Sequence, residues 1–135
     1  MVFIDQLKGL LNTQEKRWSA MVTLIISLIM VTPLCGFLFK CGCDWPWAGL
    51  DSRCNFYNFD TEHKCPWCAS MVAGVLSTGV AVVMGVWASI FSSCILISQH
   101  PLGEVLKRTV FGLMVFVGVA FLMAMFAAQW QGYSM

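Results

Sequence analysis

Charge is what this chain has least of. Only 11% of its 135 residues are Asp, Glu, Lys or Arg, against roughly a quarter in soluble domains, while 59% are hydrophobic. That balance excludes an ordinary water-soluble domain. A net charge of +1 without a clustered run of Lys and Arg excludes a polyanion-binding surface, because neutralising phosphates needs concentrated cations. No nucleic-acid partner is expected. A nucleotide-binding loop, a hydrolase elbow, a zinc-protease motif and a paired-carboxylate site are missing too, which removes the commonest catalytic signatures. The sequence therefore names no reaction and leans away from an enzyme.

What is present is apolar length. Residues 18–39, 70–97 and 110–128 each satisfy the length criterion of roughly 20 residues for crossing a bilayer, and none contains Asp, Glu, Lys, Arg or His. Ionisable groups usually mark proton relays and ion paths inside membranes, so neither is expected here. The fold class predicted is an all-α integral membrane protein with three transmembrane helices. Ahead of them, residues 1–17 place Phe3, Ile4, Leu7, Leu10 and Leu11 on one helical face, with Asp5, Gln6 and Lys8 on or near the other. This pattern predicts a short amphipathic helix on the membrane surface. It does not read as a cleavable signal peptide, because seventeen residues precede the first apolar run and no small-residue cleavage site follows it. Residues 98–109 read as a turn and 129–135 as a tail.

Orientation follows from Lys and Arg in the short connections. Lys8, Lys16, Arg17, Lys107 and Arg108 lie on one side. On the other are Lys40, Arg53 and Lys64, diluted by Asp44, Asp51, Asp60 and Glu62. The expected topology has a cytoplasmic N-terminus and an outward 40–69 segment in a bacterial inner membrane. Trp130 and Tyr133 would anchor the last helix at the outer interface.

The second span carries a packing signal. Ala69, Ala73, Ser77, Ala81, Gly85, Ser89 and Ser93 recur every four residues. Such a ladder lets another helix backbone approach closely. Ala73, Ser77, Ala81, Gly85 and Ser89 are the expected packing residues, and Ala120, Ala124 and Ala128 on the third span offer a partner at the same spacing. Part of the ladder could also meet other membrane-protein subunits. Pro33 removes a backbone donor from the first span and is expected to kink it near its outer end.

Five of the seven cysteines fall between Cys41 and Cys68. The segment also holds Trp45, Trp47, Phe56, Tyr57, Phe59 and Trp67, a density that predicts a compact cap at the headgroup level. In an oxidising compartment the first expectation is disulfides among Cys35, Cys41, Cys43, Cys54, Cys65 and Cys68, an even set whose pairing the sequence leaves open. A cap this small buries little core, and cross-links would brace it.

Two alternatives concern chemistry. Thiolates of Cys41, Cys43, Cys65 and Cys68, with His63 as a substitute, could hold zinc or copper. Otherwise Cys65 and Cys68 could form a redox pair, since a helix N-terminus favours a thiolate. This CxxC resembles that of the quinone-coupled membrane disulfide oxidases, which also carry one at the outer end of a transmembrane helix. The resemblance covers Cys65 to Cys68 and the following helix, and implies thiol-disulfide exchange by that pair. Those enzymes have a four-helix bundle, whereas three spans are expected here. The first functional expectation is an accessory subunit or assembly partner of a membrane complex, without a cofactor. The alternative is a membrane thiol-disulfide oxidoreductase or metal-handling protein.

Overall fold

The structure is a computed structural model, and it describes residues 14–42, 65–92 and 101–132. Among the described residues there are four helices and no strand: α1 (Gln14–Phe39), α2 (Pro66–Ala69), α3 (Met71–Phe91) and α4 (Pro101–Trp130). Three of these, α1, α3 and α4, are long and apolar enough to cross a membrane. At 1.5 Å per residue the 21 residues of α3 extend about 31 Å, close to the thickness of a hydrocarbon core. The proposed amphipathic helix lies almost wholly outside the described residues, as do most of the aromatic cap and the end of the second span after Ser92.

Two boundaries differ from expectation. Helix α4 begins at Pro101, so Glu104, Lys107 and Arg108 are helical and not part of a turn. Proline suits a first helical position, where its missing N–H has no intrahelical partner to lose. The chain also breaks at Ser70, whose φ of −135° and ψ of 117° are extended. Cys65 therefore caps, and Cys68 lies in, the separate single turn α2, and Ser70 instead serves α3. Its Oγ accepts from Ala73 N at 3.4 Å, and its carbonyl accepts from Gly74 N at 2.9 Å. A serine hydroxyl at this position satisfies a donor that the first helical turn leaves open.

The burial pattern inverts that of a soluble protein. Small and hydroxyl-bearing residues are inside, including Ser19, Thr23, Ser27, Ser77, Ala81, Ser89, Ala120, Ala124 and Ala128. Large apolar residues point outward, among them Trp18, Ile25, Leu28, Val72, Val83, Trp87, Met114 and Leu122. Exposed apolar side chains in this number are unfavourable in water and compatible with a lipid bilayer. In lipid, helices associate through close contact and hydrogen bonds, since hydrocarbon tails are as apolar as leucine.

The described residues fall into two compact units, one from 14–27, 82–92 and 101–117, the other from 28–42, 65–81 and 118–132. In the first unit, Gly85 of α3 faces α4 so closely that an added Cβ would lie 2.8 Å from Phe116 Cβ and 2.9 Å from Gly112 O. The contact is reciprocal. A Cβ on Gly112 would lie 2.7 Å from Gly85 O and 3.0 Å from Thr23 Cγ2 of α1. Thr23 Oγ1 also donates to Ser89 Oγ at 3.2 Å, tying α1 to α3 through a side-chain bond in a dry interior. Arg108 is buried on α4, paired with Glu104 one turn earlier and donating through NH1 to Ile90 O of α3 at 3.2 Å. An arginine here contributes five donors, one of which reaches the Ile90 carbonyl near the end of α3, where helix carbonyls are left open.

Of the expected ladder, Ser77, Ala81, Gly85 and Ser89 are buried and Ala73 is half-buried, whereas Ala69 on α2 is exposed. Ala120, Ala124 and Ala128 are buried on α4 as the spacing predicts. The sequence reading did not single out the hydroxyl stripe Ser19, Thr23 and Ser27 on α1. Its four-residue spacing was nonetheless visible.

Candidate metal centre

The second unit brings three cysteines together. Cys35 stands near the end of α1, just past Pro33, and Cys41 follows that helix. Between them Lys40 adopts φ of 49°, an uncommon left-handed conformation for a residue with a side chain. This turn ends α1 after Phe39 and lets Cys41 fold back on it. Cys41 Sγ lies 3.9 Å from Cys35 Sγ and 3.7 Å from Cys35 O. Cys65 arrives from the other end of the 42–64 segment, and its Sγ lies 3.4 Å from that of Cys35. All three sulfurs are within 4.8 Å of one another.

Local sequence explains how Cys65 is presented. It precedes Pro66, and a residue before proline is driven to extended backbone; its φ of −64° and ψ of 157° lie there. Pro66 then opens α2 at the position that needs no N–H donor. The Cys65 carbonyl accepts from Cys68 N at 2.9 Å and Ala69 N at 2.8 Å, which closes the turn. Two further contacts hold α2. Gln131 Nε2 at the end of α4 donates to Pro66 O at 2.9 Å. The α-carbon of Gly74 sits against Trp67, where an added Cβ would fall 2.5 Å from the Trp67 carbonyl oxygen.

The surroundings are dry on one side. Cys65 is 0% exposed and Cys35 4% exposed, whereas Cys41 is half-buried. Phe39 and Trp67 meet edge to face at 5.6 Å between ring centres, and Pro66 is fully buried beside them in the chain. Trp67 Nε1 is buried without a hydrogen-bond partner among the described residues.

No family model, curated protein or solved structure matches the chain.

The sulfur separations can be compared with those that each chemistry expected from sequence would need. A disulfide requires about 2.05 Å, and among the described residues no two of Cys35, Cys41, Cys65 and Cys68 are joined by one. Four thiolates placed tetrahedrally at about 2.3 Å from zinc stand about 3.8 Å apart. The two observed distances, 3.4 and 3.9 Å, bracket that value. For the redox alternative, Cys65 is wholly buried, and Cys35 and Cys41 are among its close neighbours. The expected metal set changes as well. Cys35 joins Cys41 and Cys65, Cys68 is not in the group, and Cys43, Cys54 and His63 lie outside the described residues. Cys35 had been assigned only to disulfides because it sits inside the first apolar run. Its approach to Cys41 six residues on depends on the turn at Lys40, which no composition signal announces.

Proposed function

We propose that this protein is a small metal-handling protein of the membrane, binding a soft metal ion through the thiolates of Cys35, Cys41 and Cys65. The observation that carries the reading is the convergence of three sulfurs within 4.8 Å from two distant parts of the chain. Thiolates select soft and borderline ions, and sulfurs gathered within 4.8 Å of one another are what such an ion requires. Metal handling moves ahead of the assembly role expected first from sequence. The small-residue ladder that would recruit another subunit is engaged within the chain, with Gly85 against Gly112 and Phe116.

The balance of Lys and Arg supports an outward cysteine end in a bacterial inner membrane. Thiols in such a compartment are prone to oxidation. Burial of Cys35 and Cys65, together with engagement of the sulfur lone pairs by a metal, would protect them.

The test is metal analysis of the full chain, purified in mild detergent under anaerobic, reducing conditions. About one soft metal ion per chain is expected, with loss in Cys35→Ser and Cys65→Ser and retention in Cys94→Ser. Metal-free protein carrying a Cys35 to Cys65 disulfide, mapped without reduction, would overturn metal handling in favour of the disulfide-braced accessory subunit. Metal-free protein with reduced thiols would return the reading to an accessory subunit.

A further inference from the structure

Building on the metal-binding reading above, we infer that the ion enters and leaves by ligand exchange with an anionic thiol compound, which attacks on the Cys41 side while Cys35 and Cys65 retain the ion. The sulfur cluster is closed at two of its members and accessible at the third, and the accessible one adjoins a positive charge.

The closed members are set in packed structure. Cys35 is 4% exposed within α1, and Cys65 is 0% exposed at the head of α2. The Cys65 carbonyl accepts from Cys68 N and Ala69 N, and Gln131 holds the next carbonyl, that of Pro66. Phe39 and Trp67, close in the chain to these anchors, pack edge to face. Side chains in a close-packed interior have few empty rotamers to move into. Cys35 and Cys65 are therefore the retained ligands.

Cys41 differs in backbone and in exposure. It stands beyond the end of α1, between Lys40 at φ 49° and Gly42 at φ 65°. Lys40 and Gly42 are exposed and Cys41 is half-buried. A Cβ built on Gly42 meets nothing within 4 Å, so there is open space in the residue next to Cys41. An incoming donor has room to approach here. A fixed charge raises the local concentration of oppositely charged ligands, and the exposed ammonium of Lys40 thus favours an anionic donor. Soft ions prefer sulfur to oxygen, which makes that donor a thiol.

The exchange balances without an oxidant. The incoming thiol gives up its proton and its sulfur bonds the ion; the bond from the ion to Cys41 Sγ breaks, and the Cys41 thiolate takes up a proton. The ion keeps its oxidation state and its number of ligands. Additional donors to the ion would leave this step unchanged, because one ligand on the accessible side is all that has to be replaced. Further thiols of the acceptor then displace Cys35 and Cys65 by the same step.

The experiment uses the reduced full chain in detergent, loaded with Cd(II) as a soft, redox-inert probe. The loaded protein is mixed with dimercaptosuccinate, an anionic dithiol, or with dithiothreitol, a neutral one, and protein-bound cadmium is counted after rapid desalting. Release should rise in proportion to the concentration of either acceptor. Lys40→Glu should slow release to dimercaptosuccinate severalfold at low salt, with release to dithiothreitol and cadmium stoichiometry unchanged. That difference should fade near 1 M salt, where the Debye length is about 3 Å. Release at one rate whatever the acceptor concentration would show that the ion departs unaided, and would overturn the exchange while leaving metal handling intact. Equal effects of Lys40→Glu on both acceptors, or none on either, would overturn attack on the Cys41 side. Helical, monodisperse wild-type protein that binds no cadmium would overturn the metal-binding reading and the exchange together. The concentration dependence is measured on wild-type protein, so it decides the exchange whether or not the variant folds.

Discussion

Replacing Gly85 by alanine should destabilise the protein, and the geometry sets the size of the effect. The new methyl would lie 2.8 Å from Phe116 Cβ and 2.9 Å from Gly112 O, whereas carbon atoms rest about 3.5–4.0 Å apart. Both obstacles are next to or part of the α4 backbone, so no flexible side-chain tip can swing away. Helices α3 and α4 must separate by roughly 0.7–1 Å, enough to lose a quarter to a half of each affected dispersion contact. Overpacking of this kind costs about 1–3 kcal/mol. Gly79 on α3 is a matched control, because a Cβ there meets nothing within 4 Å, and Gly79→Ala should gain about 0.5–1 kcal/mol from the better helix former. The two variants should therefore differ by roughly 1.5–4 kcal/mol in the same helix. Equilibrium unfolding in mixed micelles, followed by loss of helical circular dichroism against the mole fraction of SDS, would measure it. Equal midpoints for Gly85→Ala and Gly79→Ala would refute the close approach of α3 and α4. Gly112→Ala pushes apart the same surfaces, so the double variant should be less damaging than the sum of the singles.

Thr23→Val and Ser89→Ala each remove one side of the bond between α1 and α3, and a double-mutant cycle should return a coupling of about 0.6 kcal/mol, the usual scale within membranes. Arg108→Met strands Glu104 and uncaps Ile90 O. With Glu104 partly solvated, a loss of about 1–3 kcal/mol is expected, read in the same unfolding assay. Gln131→Leu breaks the bond that holds Pro66 and should speed release of bound metal to a chelator severalfold while leaving its stoichiometry unchanged; identical release kinetics would show that α2 needs no such support. In metal-free, reduced protein, N-ethylmaleimide should modify half-buried Cys41 and Cys68 faster than buried Cys35 and Cys65, as peptide mass spectrometry over time would reveal.

The parts of this fold legible in the sequence depend on composition summed over many residues. Apolar length marked the three spans, and small residues every fourth position marked Ser77, Ala81, Gly85 and Ser89 as the packed face of α3. Boundaries set by one or two residues were harder to see. Charge at Glu104, Lys107 and Arg108 suggested a solvated turn, but a helix can carry these groups when they pair with one another and with open carbonyls. Ser70 was taken into the span after it, although a serine three residues before Ala73 is a recognisable capping position. The candidate site was legible in its residue types and partly in its membership. Cys41 and Cys65 were expected ligands and Cys35 was not, because the turn at Lys40 that unites them is a backbone conformation without a compositional signature.

That turn also has a consequence for what the chain can tolerate. Cys41 and Cys65, which flank residues 42–64 in the sequence, bring their sulfurs within 4.8 Å of each other, so any chain joining them has to close over that distance whatever its length. The entropy of closing a flexible loop grows only with the logarithm of its length, about 0.6 kcal/mol for each doubling. The thiol centre therefore isolates the rest of the molecule from the length of this stretch. A sequence inserted there, whether by evolution or as a reporter, would enlarge the loop without changing where the three sulfurs meet.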